Sequence, residues 1–239
     1  MTLILCEAGD AAAPWAAERL RARGRSADLV LSDALGEAVR WEHRVDQAAA
    51  SVRITLADGR QLSSDAAEPI LNRIGSIPLA RLHATAGEDY GYAMQEMFAL
   101  YLSWLHAWPA TVINRPTPQG LAGAYRHGSA WAALGAAAGL PTRAWAQSSA
   151  DPPETGWAPP AAEATAFVVA GRAVLPPALP PELALPCRAL AARAGTALLG
   201  IGFARDGLGE WEMVGASPVP DLALGGEPLV EALAEALAE

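Results

Sequence analysis

The sequence predicts an α/β protein, with an open sheet containing parallel strands followed by a smaller α+β lobe. Two echoing segments lead to that prediction. Ile70-Leu71-Asn72-Arg73 and Val112-Ile113-Asn114-Arg115 each read as an apolar strand whose last residues turn polar. A helix-grade run from Glu88 to Trp108 lies between them, and a strand–helix–strand crossover makes its two strands parallel. The chain start has the same grammar. Thr2 to Cys6 is a buried strand, Pro14 opens a helix that Gly24 stops, and Ala27 to Leu31 is a second strand. Between 147 and 164 the texture changes to Ser, Asp, Pro, Gly and Ala, the mark of a linker or loop. The expected organisation is therefore an α/β domain at 1–146 and a second lobe at 165–239.

Each remaining element has its own signal. Val39 to Val45 and Val52 to Leu56 are short and alternating, and Asp58-Gly59 is a hairpin signal ahead of Gln61-Leu62. They predict an antiparallel hairpin, either inserted on the sheet or extending its edge. The run from 88 to 108 is apolar nearly all round, with Met97, Phe98, Tyr101, Trp104, Leu105 and Trp108, which predicts burial between layers or in an interface. Pro109 ends it. Ser129 to Gly139 reads as an Ala-rich helix stopped by Gly139-Leu140-Pro141. Beyond the linker, Thr165 to Ala170 and Arg172 to Leu175 flank Gly171 as a small hairpin, and Glu182 to Gly195 is a helix. Ala197 to Ala204 and Trp211 to Val214 form a strand pair, and Pro228 to Glu239 an amphipathic terminal helix.

Composition narrows the function classes. Apolar residues make up 52% of the 239, so the chain can bury a full core. The net charge of −9 gives no basic footprint for nucleic acid. All 17 basic residues are arginine, so no side chain here can form a Schiff base or hold phosphate as a lysine does. Cys6 and Cys187 follow no metal or redox spacing, and Cys6 sits in an apolar strand as a structural thiol. The N-terminus lacks the features of a signal peptide, and the most apolar helix is too short to span a bilayer, so a cytoplasmic protein is expected.

In open parallel sheets, ligands sit outside the carboxyl ends of the strands. Asn72, Arg73, Asn114 and Arg115 fall at such ends, so one rim is expected to carry two amides and two guanidinium groups able to grip a carboxylate or phosphate. The competing reading is that each Arg pairs with a neighbouring acid and each Asn satisfies turn amides. Glu96, one residue before the apolar run, is expected to be half-buried and paired with Arg73 or Arg115. Arg126 and His127 precede the Ala-rich helix and could form a further anion site. His43, His83 and His106 show no metal-ligand grouping.

The order of parts resembles the ATP-grasp superfamily, especially its peptide-maturation and ribosomal-modification ligases. The resemblance rests on VINRPTPQG after the second echo, on GLP at Gly139 to Pro141 closing a helix, and on LGIGFARDGLGEWEMVGASPVPDL standing where that family has two metal-ligand strands. It implies a pre-ATP-grasp-like domain followed by a reduced C-terminal ATP-grasp-like lobe. The departures are in the chemistry. The family's helix-start Lys corresponds to the neighbourhood Arg126-His127-Gly128-Ser129, and the segment for its small nucleotide-covering lobe, which carries another Lys, has shrunk to the 147–164 stretch. Its strand Asp corresponds to Gly202, and the Glu and Asn of its Glu-x-Asn-Pro correspond to Gly215 and Ser217. Mg²⁺ holds ATP through carboxylates and phosphate oxygens, and positioning plus charge neutralisation is most of what phosphoryl transfer asks of a protein.

The resemblance therefore implies a truncated, degenerate relative with no cofactor and no resident metal. It would act as a non-catalytic partner or recognition subunit in peptide or natural-product maturation, binding a protein or peptide partner or an anionic small molecule. The alternative is a divergent ATP-dependent carboxylate–amine ligase whose metal site has shifted to Asp206, Glu210 and Glu212, or another small-molecule enzyme using the Asn-Arg cleft. Against the shifted site stands the plain reading of those acids as a hairpin tip and solvated edge.

Overall fold

Residues 1–77, 88–145 and 160–238 are described by a computed structural model. The chain divides into two compact units, one of Met1–Ala124 with the chain end from Leu233, the other of Tyr125–Ala232. This division falls ahead of the linker expected at 147–164, of which 147–159 lies outside the described residues, as does His83.

The first unit holds the parallel sheet. Strands β1 (Thr2–Cys6), β2 (Ala27–Leu31), β6 (Ile70–Asn72) and β7 (Val112–Ile113) lie in the order β2-β1-β6-β7, all parallel. Helix α1 (Ala12–Ala22) connects β1 to β2 and buries Ala13, Ala16, Ala17 and Leu20. A one-turn helix absent from the sequence expectation, α2 (Ser32–Gly36), follows β2.

Strands β3 (Arg40–Val45), β4 (Ala50–Thr55) and β5 (Gln61–Ser63) make a separate antiparallel sheet. It is inserted and does not extend the parallel edge. Its two faces follow the period of two that an exposed sheet requires. Trp41, Val52, Ile54 and Leu62 point to the core, while Arg40, Glu42, Arg44, Ser51 and Arg53 point out. Gly59, at φ 87°, makes the β4–β5 turn that Asp58-Gly59 predicts.

Helix α3 (Glu88–Ala107) fills the space between the two sheets of this unit. Tyr101, Trp104, Leu105 and Trp108 join Leu3, Leu5, Ile70 and Val112 from one sheet and Val52, Ile54 and Leu62 from the other in one apolar cluster. Trp41, Tyr101, Trp104 and Trp108 stack in tilted or edge-on pairs with centroids 5.8–6.3 Å apart, the arrangement ring quadrupoles favour. Burial is confined to one side: Gln95, Glu96, Ala99 and Ser103 are exposed.

The second unit is an antiparallel sheet backed by helices. Strands β8 (Ala164–Val169), β9 (Arg172–Val174), β10 (Leu198–Arg205) and β11 (Trp211–Ser217) run in the order β11-β10-β8-β9. Ala170 and Gly171, both at positive φ, form the tight β8–β9 turn. Helices α4 (Gly128–Ala137) and α5 (Ala184–Ala194) cover one face. Trp131, Leu140, Cys187, Leu190 and Ala191 pack there with Ala166, Val168, Leu199, Ile201, Phe203 and Met213. That packing explains why α4 belongs to this unit. Helix α6 (Gly226–Ala236) ends the chain.

Candidate functional site

The two Asn-Arg dipeptides do share a rim. β6 and β7 are hydrogen-bonded neighbours, with Ile70 beside Val112 and Leu71 beside Ile113, so Asn72 and Arg73 lie beside Asn114 and Arg115 at the carboxyl ends. Their side chains, however, are engaged in holding the fold. Asn72 is fully buried. Its amide nitrogen donates to the carbonyls of Asn114 (2.9 Å) and Leu121 (2.7 Å), and its oxygen accepts from the Ile74 amide. It ties the end of β7 and the following loop to β6. Asn114 is buried beside it.

Arg73 is 3% exposed, and its guanidinium grips Asp10 with two parallel bonds, Nε–Oδ2 at 2.6 Å and Nη2–Oδ1 at 2.9 Å. Such a bidentate pair is the strong form of an ion pair. Asp10 also accepts the Ala12 amide at the start of α1, so one carboxylate answers both the buried guanidinium and the helix N-terminus. Glu7 does similar work beside it, accepting from the amides of Gly75 and Ser76 and from the Ser76 hydroxyl. Neither acid was singled out from the sequence. The signal was available: both follow β1, the strand beside β6, so they land on the same rim.

Arg115 has a different fate. Its guanidinium donates to the carbonyls of Leu105 (2.6 Å), His106 (3.2 Å), Trp108 (3.3 Å) and Ala110 (3.2 Å), closing the C-terminal end of α3. Helix C-termini leave carbonyls without partners and carry partial negative charge, so a cation fits there. Burial lowers its pKa, and it still stays protonated at any ordinary pH.

The expectation for Glu96 is corrected. Its side chain is exposed, because it sits off the buried stripe of α3, and the ion-pair partner of Arg73 is Asp10. Arg126 lies over Trp131, 5.8 Å from the ring centroid, and donates to the Ala194 carbonyl at 3.2 Å. His127 is the N-cap of α4, its Nδ1 accepting from the Ser129 amide at 3.4 Å, and its ring meets Trp145 edge-on.

The β10–β11 pair carries the positions that the sequence resemblance compares with metal ligands. Gly202 lies directly opposite Gly215, and Ser217, two residues on, shares their face. The helices cover the other face, where Ile201, Phe203 and Met213 are buried. A bulge between Gly202 and Phe203 keeps both patterns in register. Pro220 packs so closely on Gly200 that no side chain fits there. The Ser217 hydroxyl accepts from the Val219 amide, fixing the turn that follows.

Of the acids suggested as a shifted metal site, Asp206 uses Oδ1 to accept the Leu208 and Glu210 amides, both at 2.8 Å, and so shapes the hairpin tip. Glu210 lies in that turn and not on the strand. Glu212 pairs with Ala204, two residues from Gly202, and so sits on the glycine face, the only acid that the β10–β11 pair itself places there. Among the described residues no group of three His, Cys, Asp or Glu side chains could hold a metal ion. Gly202, Gly215 and Ser217 offer no carboxylate at their positions, whereas Mg²⁺ with ATP is held by one or two carboxylates plus phosphate oxygens.

No protein-family model matches the sequence, and no match was found among curated proteins. Solved structures do match. One is a macrocyclase from Microcystis aeruginosa MRC, MdnC, bound with its precursor peptide MdnA. It is 13% identical, has a TM-score of 0.72, and is covered over 99% of its chain by 100% of this one. The fold is ATP-grasp-like. The ATP-grasp ligase PsnB, complexed with a phosphomimetic variant of its minimal precursor, Mg and ADP, is 15% identical at a TM-score of 0.71, with 100% of this chain and 98% of that one covered. A Chryseobacterium gregarium RiPP-associated ATP-grasp ligase, in complex with ADP and a leader and core peptide, is 10% identical at 0.69, with 99% and 96% covered. This chain thus resembles the ATP-grasp proteins of peptide modification in its fold, as its motifs imply. Among the described residues, no helix is long and apolar enough to cross a membrane.

Proposed function

We propose that this protein is a non-catalytic, peptide-recognising ATP-grasp-like subunit of a peptide- or natural-product-maturation system. The observation that carries the reading is the glycine-bearing face of β10 and β11. There Gly202, Gly215 and Ser217 stand opposite and beside one another at the positions the resemblance assigns to two carboxylates and an amide. Glycine offers no side-chain ligand, and one serine hydroxyl cannot replace two acids in holding Mg²⁺. Without lysine anywhere in the chain, the phosphate-gripping amines are gone as well. The scaffold supports the other half of the reading, since similar solved structures are those of peptide ligases captured with precursor, leader or core peptides.

A second reading, a divergent ATP-dependent ligase, is favoured only by Glu212, the one carboxylate of the strand pair on the glycine face. Calorimetric titration with ATP and Mg²⁺ separates the two. The expected result is no specific heat of binding. A micromolar affinity that is lost in Glu212→Gln would overturn the non-catalytic reading in favour of a shifted metal site.

A further inference from the structure

We propose that the outer face of the inserted β3–β4–β5 sheet is a docking groove for an acidic segment of a partner peptide in extended conformation. The proposal rests on the peptide-recognising reading above and names the chemistry of the peptide. The face forms a groove of about 650 Å³, whose charged lining is Arg40, Glu42, Arg44, Arg53 and Asp65. Three arginines against two acids leave it one charge positive, in a chain whose net charge is −9. Local charge of the sign opposite to the rest of the molecule is what steers an acidic ligand to one place.

The arrangement is specific. Arg40, Glu42 and Arg44 alternate along β3 and so share a face, and Arg53 on β4 stands directly across from Glu42. The Glu42 carboxylate is shared between two guanidinium groups. Glu42 bonds Arg40 at 2.6 Å and lies 3.8 Å from Arg44, while Asp65 takes Arg53 at 3.2 Å. Arg40, Arg44 and Arg53 have side chains 69%, 81% and 54% exposed. Exposed pairs of this kind are weak, so an incoming carboxylate can take over a guanidinium at little cost. Ser51, Thr55, Gln61 and Ser63 line the rest with hydroxyls and an amide.

The spacing sets the ligand's register. Arg40 and Arg44 are four residues apart on an extended strand, roughly 13 Å. A peptide lying along β3 in the same extended state meets both if its own acids are four residues apart, with a neutral residue over Glu42. Its affinity would come from charge-assisted bonds to the fork of each guanidinium.

The test is fluorescence anisotropy of a labelled peptide, Gly-Ser-Glu-Ser-Gly-Ser-Glu-Ser-Gly, with the full chain at low salt. A Gln-for-Glu analogue is the control. The acidic peptide is expected to bind about tenfold tighter than the analogue, and to weaken as salt rises. Arg40→Ser/Arg44→Ser/Arg53→Ser is expected to abolish that preference with an unchanged urea midpoint. Glu42→Gln, which removes the competing carboxylate, is expected to bind about threefold tighter, a gain that misfolding cannot produce. Equal binding of the two peptides, no binding at millimolar protein, or indifference to both variants would overturn the groove. Those outcomes leave the calorimetric result with ATP and Mg²⁺ untouched, so failure of the groove and failure of the non-catalytic reading are told apart.

Discussion

Asn72-Arg73 and Asn114-Arg115 are the same dipeptide at the ends of neighbouring parallel strands, and their arginines do opposite work. Arg73 is sealed from solvent and answered by a full charge on Asp10. Arg115 is half-buried and answered by four peptide carbonyls at the end of α3. The difference comes from what lies next to each strand. β6 has β1 on one side, whose end delivers Glu7 and Asp10, whereas β7 is the sheet's edge and has the C-terminus of α3 above it. A repeated motif at a repeated topological position need not be a repeated site.

The comparison can be broken by mutation, beginning with the largest effect. Arg73→Ala leaves the Asp10 carboxylate, 12% exposed, without its guanidinium, and is expected to cost roughly 3–5 kcal/mol in urea unfolding. Asp10→Ala should cost a similar amount. The double substitution should cost less than the sum, because the second change removes a charge already stranded. Additive losses would show that the pair is not the unit described here.

Asn72→Ala comes next, at roughly 2–3 kcal/mol, since it leaves two buried carbonyls without their shared donor. Arg115→Ala should cost only about 1–2 kcal/mol, because its carbonyls can turn to water at the helix end. If Arg115→Ala proves as damaging as Arg73→Ala, the contrast between charge and dipole partners is wrong.

The smallest effect concerns the thiols. Burial, aided by the charge of Asp10, raises the pKa of Cys6 to about 11, and burial raises that of Cys187 to about 12. Both raised values favour the protonated thiol in the folded state. Their contribution to stability is complete below the ordinary value of 9.0 and is lost as pH climbs towards 11 and 12. Neither thiol should react with iodoacetamide at pH 8 until the chain unfolds. Asp10→Ala should lower the value for Cys6 and leave Cys187 unchanged.

The sequence carried the elements well wherever a local signal was complete. Alternation with Asp58-Gly59 specified the β4–β5 hairpin, Gly171 the β8–β9 turn, and the apolar run of α3 its burial, while Ala170, expected in the strand, joins that turn at φ 45°. It was less informative where an outcome depended on a partner distant in the chain. The Asn-Arg rim was legible as a place because strand ends follow from topology. That its side chains hold Asp10, Leu121 and the α3 carbonyls was not, since the separations run from 5 to 63 residues. Glu96 shows the same limit. One residue of rotation on a helix decides between core and water, and only packed α3 settles that angle.

Three properties belong to the residues alone: a net charge of −9, the absence of lysine, and glycines at 202 and 215. These follow from composition and survive any folding. Tertiary structure alone decided which guanidinium groups were consumed by the fold and which remained in solvent. Arg73 and Arg115 found partners inside, whereas Arg40, Arg44 and Arg53 gathered on one sheet face with too few acids to match them. The physical reason is that a charge is silenced by whatever lies within a few ångströms, and neighbours at that range are chosen by packing.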